Sequence, residues 1–170
     1  MAGQKPKDLT GIGNGGPGQK WQAASGGLLT GSSYSFETVQ STASCLDVYG
    51  DGTTDGTQVD EYTCNASAAQ TFTIVGAGAG LVSLQNANGK CVDLYSSGTT
   101  DGTKVEVWDC NGTIAQELVV QSDANLDLTF VNPHSGKCLD ITGASTANLT
   151  AVELFDCNGG NNQKWLPVAR

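Results

Sequence analysis

An acidic side chain and an aromatic side chain recur together three times along the chain. Each time, an Asp stands two residues after one cysteine and an aromatic residue stands two residues before the next. The acids are Asp47, Asp93 and Asp140, and the rings are Tyr62, Trp108 and Phe155. A carboxylate accepts hydrogen bonds from neighbouring hydroxyls, and a flat ring stacks on an apolar C–H face. The pairing therefore suits a saccharide, although a repeated Asp also caps turns and a repeated ring also fills cores.

Further polar residues recur in register with these pairs. An acid lies between each Asp and its ring, on the same side of the predicted strand because side chains alternate along a strand. An Asn follows the second cysteine, and a Gln comes five residues later. The acids are Asp60, Glu106 and Glu153, the Asn residues are Asn65, Asn111 and Asn158, and the Gln residues are Gln70, Gln116 and Gln163. The residue before the Gln is Ala69, Ala115 or Asn162, so only the third copy adds an amide there.

The six cysteines divide the chain into three copies of one segment, which we call units 1, 2 and 3. The two cysteines of every unit are separated by 19 positions. This repetition selects one pairing out of the 15 that six cysteines allow. The predicted disulfides are Cys45–Cys64, Cys91–Cys110 and Cys138–Cys157. A zinc site is the competing interpretation, and it is weak because no Cys-x-x-Cys pair occurs and His134 is the only histidine.

The segments that carry these residues have the pattern of short β-strands. Alternating or short apolar runs are separated by turn dipeptides such as Asn88-Gly89 and Asp101-Gly102, and no segment has a helical period. In unit 2, strands are predicted near 81–86, 91–95, 104–109 and 117–121. Four strands in each unit make twelve antiparallel strands. We expect a pseudo-threefold closed array, because closure removes exposed sheet edges.

The Cys-aliphatic-Asp opening, the constant cysteine spacing and the Gln-x-Trp ending resemble the ricin B-type lectins. The match is strongest to the carbohydrate-binding modules of this type (module family 13) that are attached to glycoside hydrolases, and it covers about 33–170. The resemblance implies an all-β, β-trefoil fold. Phe72 and Leu118 replace the usual Trp of the ending, and Trp165 keeps it. We expect this position to lie in the core.

The resemblance also implies roles for the recurring residues. In such lectins the Asp accepts hydrogen bonds from sugar hydroxyls, the aromatic residue is the stacking platform, and the Gln braces the site from behind. The expected carbohydrate-binding residues are Asp47, Asp60, Tyr62, Asn65 and Gln70 in unit 1, Asp93, Glu106, Trp108, Asn111 and Gln116 in unit 2, and Asp140, Glu153, Phe155, Asn158, Asn162 and Gln163 in unit 3. Unit 3 is predicted to be the most complete because of Asn162, although its turn 147–150 departs from the Thr-Asp-Gly-Thr of the others.

Two domains are predicted, an extension or linker over residues 1–32 and the carbohydrate-binding domain over 33–170. The segment 14–21, which ends in Trp21, echoes 158–165, so the extension could end in part of a further unit. The expected function is non-catalytic binding of galactose-, arabinose- or xylose-containing glycans. A catalytic domain elsewhere in the parent protein is an expected partner, and a protein-binding trefoil such as a protease inhibitor is the alternative.

Composition narrows the remaining classes of function. The net charge is −9 and no basic stripe occurs, so nucleic acid is a poor candidate partner. No apolar run approaches the ~20 residues that a membrane-spanning helix needs. Six cysteines that pair favour an oxidising, extracellular location. No catalytic set, cofactor motif or metal cluster is recognised in the sequence, and the acid pairs that could imitate a glycosidase recur as binding residues in the relatives.

Overall fold

The computed structural model describes residues 27–170, and in that range the chain forms twelve β-strands and no α-helix. Unit 1 contains β1 (Ser33–Thr38), β2 (Ser41–Val48), β3 (Thr57–Thr63) and β4 (Phe72–Gly78). Unit 2 contains β5 (Leu81–Asn86), β6 (Lys90–Leu94), β7 (Val105–Asp109) and β8 (Val119–Ser122). Unit 3 contains β9 (Leu128–Asn132), β10 (Lys137–Ile141), β11 (Thr150–Phe155) and β12 (Trp165–Ala169). The strands of unit 2 agree with those predicted from the sequence to within two residues at each end.

Two short 3-10 turns accompany each unit. One follows the strand that carries the Asp, and the other precedes the last strand and ends at the Gln. In unit 1 these turns are Tyr49–Asp51 and Ala68–Gln70. No helix of the described residues has the length and apolar character needed to cross a membrane.

All strand pairings are antiparallel, and they link the units to one another. Within each unit the Asp strand pairs with the ring strand, as β2–β3, β6–β7 and β10–β11. Between units, β3 pairs with β7 and with β11. The ends of the domain are joined by β1 and β12, whose register runs from Tyr34↔Ala169 to Thr38↔Trp165. The candidate sites therefore lie on short hairpins whose positions are set by neighbours from other units.

The core is formed by inward-facing apolar side chains from all three units. Phe36 packs edge-on against Phe130, with ring centroids 5.1 Å apart. Phe72, Leu118 and Trp165, the three residues of the Gln-x-apolar endings, are all buried, which confirms their predicted place in the core. These positions supply the large apolar volume that the otherwise short strands must bury.

The three predicted disulfides are present. They are Cys45–Cys64, Cys91–Cys110 and Cys138–Cys157, and each joins the first strand of a hairpin to a residue one or two positions after the second strand. In the chain-entropy model, a crosslink that closes a loop of this length stabilises the fold by ~3 kcal/mol. The disulfides thus hold the base of each hairpin on which an Asp and a ring are placed.

Residues just before the predicted domain boundary also contact the strands of unit 1. Leu28 is buried in the core, and the backbone N–H of Gly31 donates to the carbonyl of Ile74 at 2.8 Å. Residues 28–32, grouped with the extension on sequence grounds, therefore contact unit 1. The predicted linker over most of 1–32 and the echo segment with Trp21 lie outside the described residues.

Candidate functional site

The Asp and the acid of each unit occupy directly opposite positions on their hairpin. The strand register pairs Asp47 with Asp60, Asp93 with Glu106, and Asp140 with Glu153. The ring lies two residues beyond the acid on the same strand, so alternation places it on the same face. Each hairpin therefore carries two carboxyl groups and an aromatic ring on one face.

The Gln of each unit fixes the Asp side chain through a hydrogen-bond network that is the same in all three units. In unit 2 the Gln116 Nε2 donates to Asp93 Oδ2 and to the carbonyl of Asp109, both at 2.9 Å. The Gln116 Oε1 accepts from the backbone N–H of Asn111 at 2.9 Å. Gln70 and Gln163 make the equivalent three contacts. One oxygen of each Asp is thereby fixed, and its other oxygen takes no part in this network.

The Asn residues close the loop beside each site. The Oδ1 atoms of Asn65, Asn111 and Asn158 accept from backbone N–H groups two residues later, at 2.9, 3.0 and 2.8 Å. These contacts are Asx turns, which shape the loop through the side-chain oxygen. A contact between these Asn residues and a sugar stays a prediction.

Two of the hairpins open onto clefts. Cleft 2, of about 320 Å³, is lined by Asp93, Tyr95, Ser96, Ser97, Glu106, Trp108, Asn111, Thr113 and Ala115. Cleft 1, of about 480 Å³, is lined by Asp47, Tyr49, Gly50, Asp51, Tyr62, Asn65, Ser67, Ala69 and Leu149. The structure thus brings together the predicted Asp, ring and Asn of units 1 and 2. Both clefts are shallow and open, as a site for one or two sugar rings would be.

Tyr49 and Tyr95 are cleft residues that the sequence analysis missed. Both are more than half exposed, and each stands two residues after the Asp of its unit. The repeated Asp-x-Tyr spacing in units 1 and 2 could have identified both tyrosines from the sequence. Each cleft therefore has two aromatic side chains in its lining. Tyr49 and Tyr62 line cleft 1, and Tyr95 and Trp108 line cleft 2. In unit 3 the equivalent residue is Thr142, whose hydroxyl donates to the carbonyl of Ala151 at 2.9 Å.

In unit 3 the Asp carboxylate accepts hydrogen bonds from two side-chain amides, whereas in units 1 and 2 it accepts one from the Gln. The Asn162 Nδ2 donates to Asp140 Oδ2 at 2.9 Å, and the Gln163 Nε2 donates to the same oxygen at 2.7 Å. The equivalent residues of units 1 and 2, Ala69 and Ala115, are buried in the cleft floors. Asn162, expected to contact a ligand, thus also holds Asp140 in place. Phe155, the ring of unit 3, is 39% exposed.

Burial raises the pKa of all three Asp residues, and the Gln amide opposes the shift in each case. The acids opposite these Asp residues differ in their surroundings.

Glu106 lines cleft 2, and its carboxylate pairs with the Lys104 ammonium at 3.1 Å. Asp60 is completely buried, and neither of its carboxyl oxygens has a hydrogen-bond partner. Burial, followed by the charge of Asp47, raises the pKa of Asp60 to about 7, and the nearby Gln58 amide only partly offsets this. Asp60 was predicted to contact the ligand, but it lies beneath cleft 1 rather than in its lining.

A turn from the neighbouring unit covers each acid. Gly56, Gly102 and Leu149 are equivalent and donate their backbone N–H to Val107, Leu154 and Glu61, respectively, at 2.8–2.9 Å. A Cβ atom on Gly56 or Gly102 would stand within 4 Å of the carboxylate of Glu106 or Glu153. Leu149 has this side chain, at a φ of +70°, and lines cleft 1. Its apolar side chain therefore shields the position of Asp60 from water.

Replacing Leu149 with Gly should lower the pKa of Asp60 from about 7 towards its ordinary value, because water would then reach the carboxyl group. An NMR titration of the carboxyl carbons measures this directly. Leu126→Gly is the matched control, since Leu126 also has a positive φ and is exposed. An unchanged Asp60 titration in Leu149→Gly, or an equal shift in both variants, would contradict the shielding role.

Comparison with known proteins identifies a single family. The family described as "Ricin-type beta-trefoil lectin domain" matches residues 32–165. No curated protein sequence matches the chain as a relative. Among solved structures, the designed threefold-symmetric protein ThreeFoil is 30% identical, with a TM-score of 0.77, over 80% of this chain and 97% of that one.

Two natural structures are similar at lower identity. The Macrolepiota procera ricin B-like lectin, solved in complex with lactose, is 21% identical with a TM-score of 0.70, over 82% of this chain and 96% of the lectin. An exo-β-1,3-galactanase from Clostridium thermocellum is 23% identical with a TM-score of 0.79, over 85% of this chain and 32% of the enzyme. At these identities the two similarities establish the fold alone.

Proposed function

Because the chain belongs to the ricin-type β-trefoil lectin domain family, we propose that it binds glycans without catalysis, through the clefts formed by its Asp and aromatic residues. The observation that carries the proposal is cleft 2, in which Asp93 and Trp108 line one opening. Trp108 is 41% exposed, a large ring surface left open to water. It would stack on the C–H face of a sugar while Asp93 accepts hydrogen bonds from the sugar hydroxyls.

Galactose-, arabinose- and xylose-containing glycans are the proposed ligands. Two similar structures support galactose in particular, since one is a lactose complex and the other is a galactanase. The second similarity also supports attachment to a glycoside hydrolase, because this chain spans about a third of that enzyme. The three disulfides fit the proposed extracellular location.

We also propose that the twelve strands close into a pseudo-threefold barrel that presents several sites on one rigid body. Support comes from the pairing of β9 with both β10 and β12, because it joins β10, the first strand of the hydrogen-bonded order, to β9 near the other end of that order. A single millimolar site contributes only about 4 kcal/mol of binding free energy. Several sites that engage one polymer would raise the effective affinity without new contacts.

Replacing Trp108 with Ala should weaken galactan or arabinoxylan binding to cleft 2 by about five- to tenfold, because loss of the ring contact costs about 1–1.5 kcal/mol. Affinity electrophoresis through gels that contain each polysaccharide measures the change. Ile114→Ala is a suitable control, since Ile114 is exposed to a similar degree (44%) outside the cleft lining. If the wild-type chain is not retarded by any polysaccharide, the proposed function is wrong.

A further inference from the structure

The two clefts differ most in electrical charge. Three carboxyl groups gather at cleft 1: Asp47 and Asp51 line it, and Asp60 lies opposite Asp47 beneath it. No Lys, Arg or His in the described range lies within ion-pair distance of any of the three. Burial and the neighbouring carboxylates raise the pKa of both Asp47 and Asp60, as expected where negative charges face one another without compensation.

The equivalent positions in unit 2 are compensated. Ser97 replaces Asp51, and Lys104 replaces Gln58. The Lys104 ammonium lies 3.1 Å from the Glu106 carboxylate. Besides burial, the charges of Glu106 and Asp55 raise the pKa of Asp93, but each of these carboxylates pairs with a lysine, Lys104 and Lys90 respectively. Cleft 2 is therefore largely compensated, whereas cleft 1 carries up to three negative charges without a paired cation. The difference lies in these two side-chain replacements and not in the backbone, because Asp51 and Ser97 have almost the same φ, 53° and 52°.

The buried side chain of Asp60 is a second observation that favours a positively charged ligand at cleft 1. This side chain is fully buried, and no donor meets hydrogen-bond geometry at either carboxyl oxygen, although the Gln58 amide lies near enough to offset part of the rise that burial causes in its pKa. Buried carboxyl groups in folded proteins are nearly always paired or hydrogen-bonded, so an exception requires an explanation. The face that Asp60 shares with Asp47 is the face on which cleft 1 opens, and its other strand neighbour, Ala151, carries no polar side chain.

The walls of cleft 1 also suit a cation. Tyr49 and Tyr62 present two aromatic rings, whose faces attract a positive charge. Leu149 adds an apolar wall and excludes water, which strengthens the attraction between opposite charges. A neutral sugar would cover these carboxyl groups without neutralising them, which makes such a ligand a poor complement to this cleft.

We infer that cleft 1 takes a sugar that carries a protonated amine, a hexosamine residue without an N-acetyl group. This inference rests on the carbohydrate binding proposed above and narrows it to one ligand class for one cleft. The ammonium group would lie between the tyrosine rings and donate to Asp47 and Asp51. Asp51 would keep its contact with Asn88, which donates to it at 2.9 Å. Cleft 2 would retain neutral sugars.

The inference predicts an unusual pH dependence. A bound ammonium favours the ionised form of Asp60, whose pKa is about 7, so binding of the amine weakens as pH falls below that value. The amine of a hexosamine loses its own proton close to neutral pH, so binding should pass through a maximum near neutrality and weaken again at higher pH. A neutral sugar would bury the same carboxyl groups further and bind more tightly as pH falls. The groups that act on Asp60 are Asp47 across the hairpin, Glu61 and Gln58 on its own strand, and Asp51 through Asp47.

NMR titration of the full chain with the β-1,4-linked glucosamine trimer and its N-acetylated counterpart tests the inference. The amides of Gly50 and Asn65 report on cleft 1, and those of Asn111 and Thr113 report on cleft 2. At pH 7 we expect the amine trimer to bind cleft 1 at least tenfold more tightly than the N-acetylated trimer. Equal or weaker binding of the amine trimer would overturn the inference.

Two double variants test which charged side chains cause the preference of cleft 1 for the amine. Asp51→Asn with Asp60→Asn should remove the preference for the amine, and Asn tolerates the positive φ at position 51. The reciprocal change, Ser97→Asp with Lys104→Gln, should confer a preference for the amine on cleft 2. An unaltered preference in both folded variants would contradict the role of these charges.

Two further arms separate this inference from its alternatives. Calcium chloride should leave the cleft 1 amides unshifted, and saturable shifts that compete with the amine trimer would replace the inference with a metal site. If galactan or arabinoxylan fragments shift the cleft 2 amides, while the amine trimer does not shift the cleft 1 amides, this inference alone is wrong. If no saccharide shifts either cleft, the proposed function itself is wrong.

Discussion

Gln116→Ala should lower the free energy of unfolding by about 2–4 kcal/mol and disorder cleft 2. The substitution removes three hydrogen bonds, to Asp93, to the Asp109 carbonyl and from the Asn111 N–H, each worth ~1 kcal/mol. It also leaves the nearly buried Asp93 carboxylate without its amide donor. Urea unfolding at pH 7 measures the loss.

The effect of Gln116→Ala should depend on pH in a defined direction. Burial already raises the pKa of Asp93, and the Gln116 amide holds that rise in check. Without the amide the pKa rises further, so the folded protein keeps the Asp93 proton to a higher pH than the unfolded chain does. The variant should therefore lose more stability at pH 7 than at pH 4, since ionisation above the raised pKa favours unfolding.

Gln85→Ala is the control for this prediction, since the Gln85 amide makes only exposed contacts with Gly89 and Cys110. A loss below about 1 kcal/mol in Gln116→Ala, or an equal loss in Gln85→Ala, would show that the network does not hold the site. Because units 1 and 3 contain the same network, Gln70→Ala and Gln163→Ala should behave alike.

Glu61→Val should stabilise the domain, by about 1–3 kcal/mol at pH 7. Glu61 is completely buried, and neither carboxyl oxygen accepts a hydrogen bond. The equivalent residues, Val107 and Leu154, belong to the apolar core. A valine in this strand position would remove the cost of burying an acid and suit the strand geometry.

The sign of the pH dependence follows from the pKa of Glu61. Burial raises that pKa, and the nearby Gln40 amide only partly opposes the rise. The wild-type protein therefore loses stability as pH rises through the raised value, and Glu61→Val does not. The advantage of the variant should shrink at low pH, where the acid is neutral in both the folded and unfolded states.

Thermal unfolding between pH 4 and pH 9 tests this prediction. Glu61→Gln, which removes the charge but keeps the shape, should give an intermediate gain. Destabilisation by Glu61→Val at pH 7 would mean that Glu61 makes a contact that valine cannot replace.

Much of the fold was predictable because it repeats within the sequence. The spacing of Cys91 and Cys110 is the same as in the other two units, so one pairing stood out among many. Alternation along two paired strands also places Asp93 and Trp108 on one face, and both line cleft 2, while their contact with a sugar stays a prediction. Periodicity and local spacing are properties of the chain itself, and they determined these features without reference to distant contacts.

Other features were decided only when the units packed together. Nothing in the sequence around Asp60 indicates that it is sealed from water, because Leu149, which lines the cleft above it, comes from unit 3. A glutamate in a strand is usually expected at the surface, yet Glu61 lies in the core. Burial, and with it the charge of a carboxyl group, depends on neighbours far apart in the chain, and tertiary structure alone brings those neighbours together.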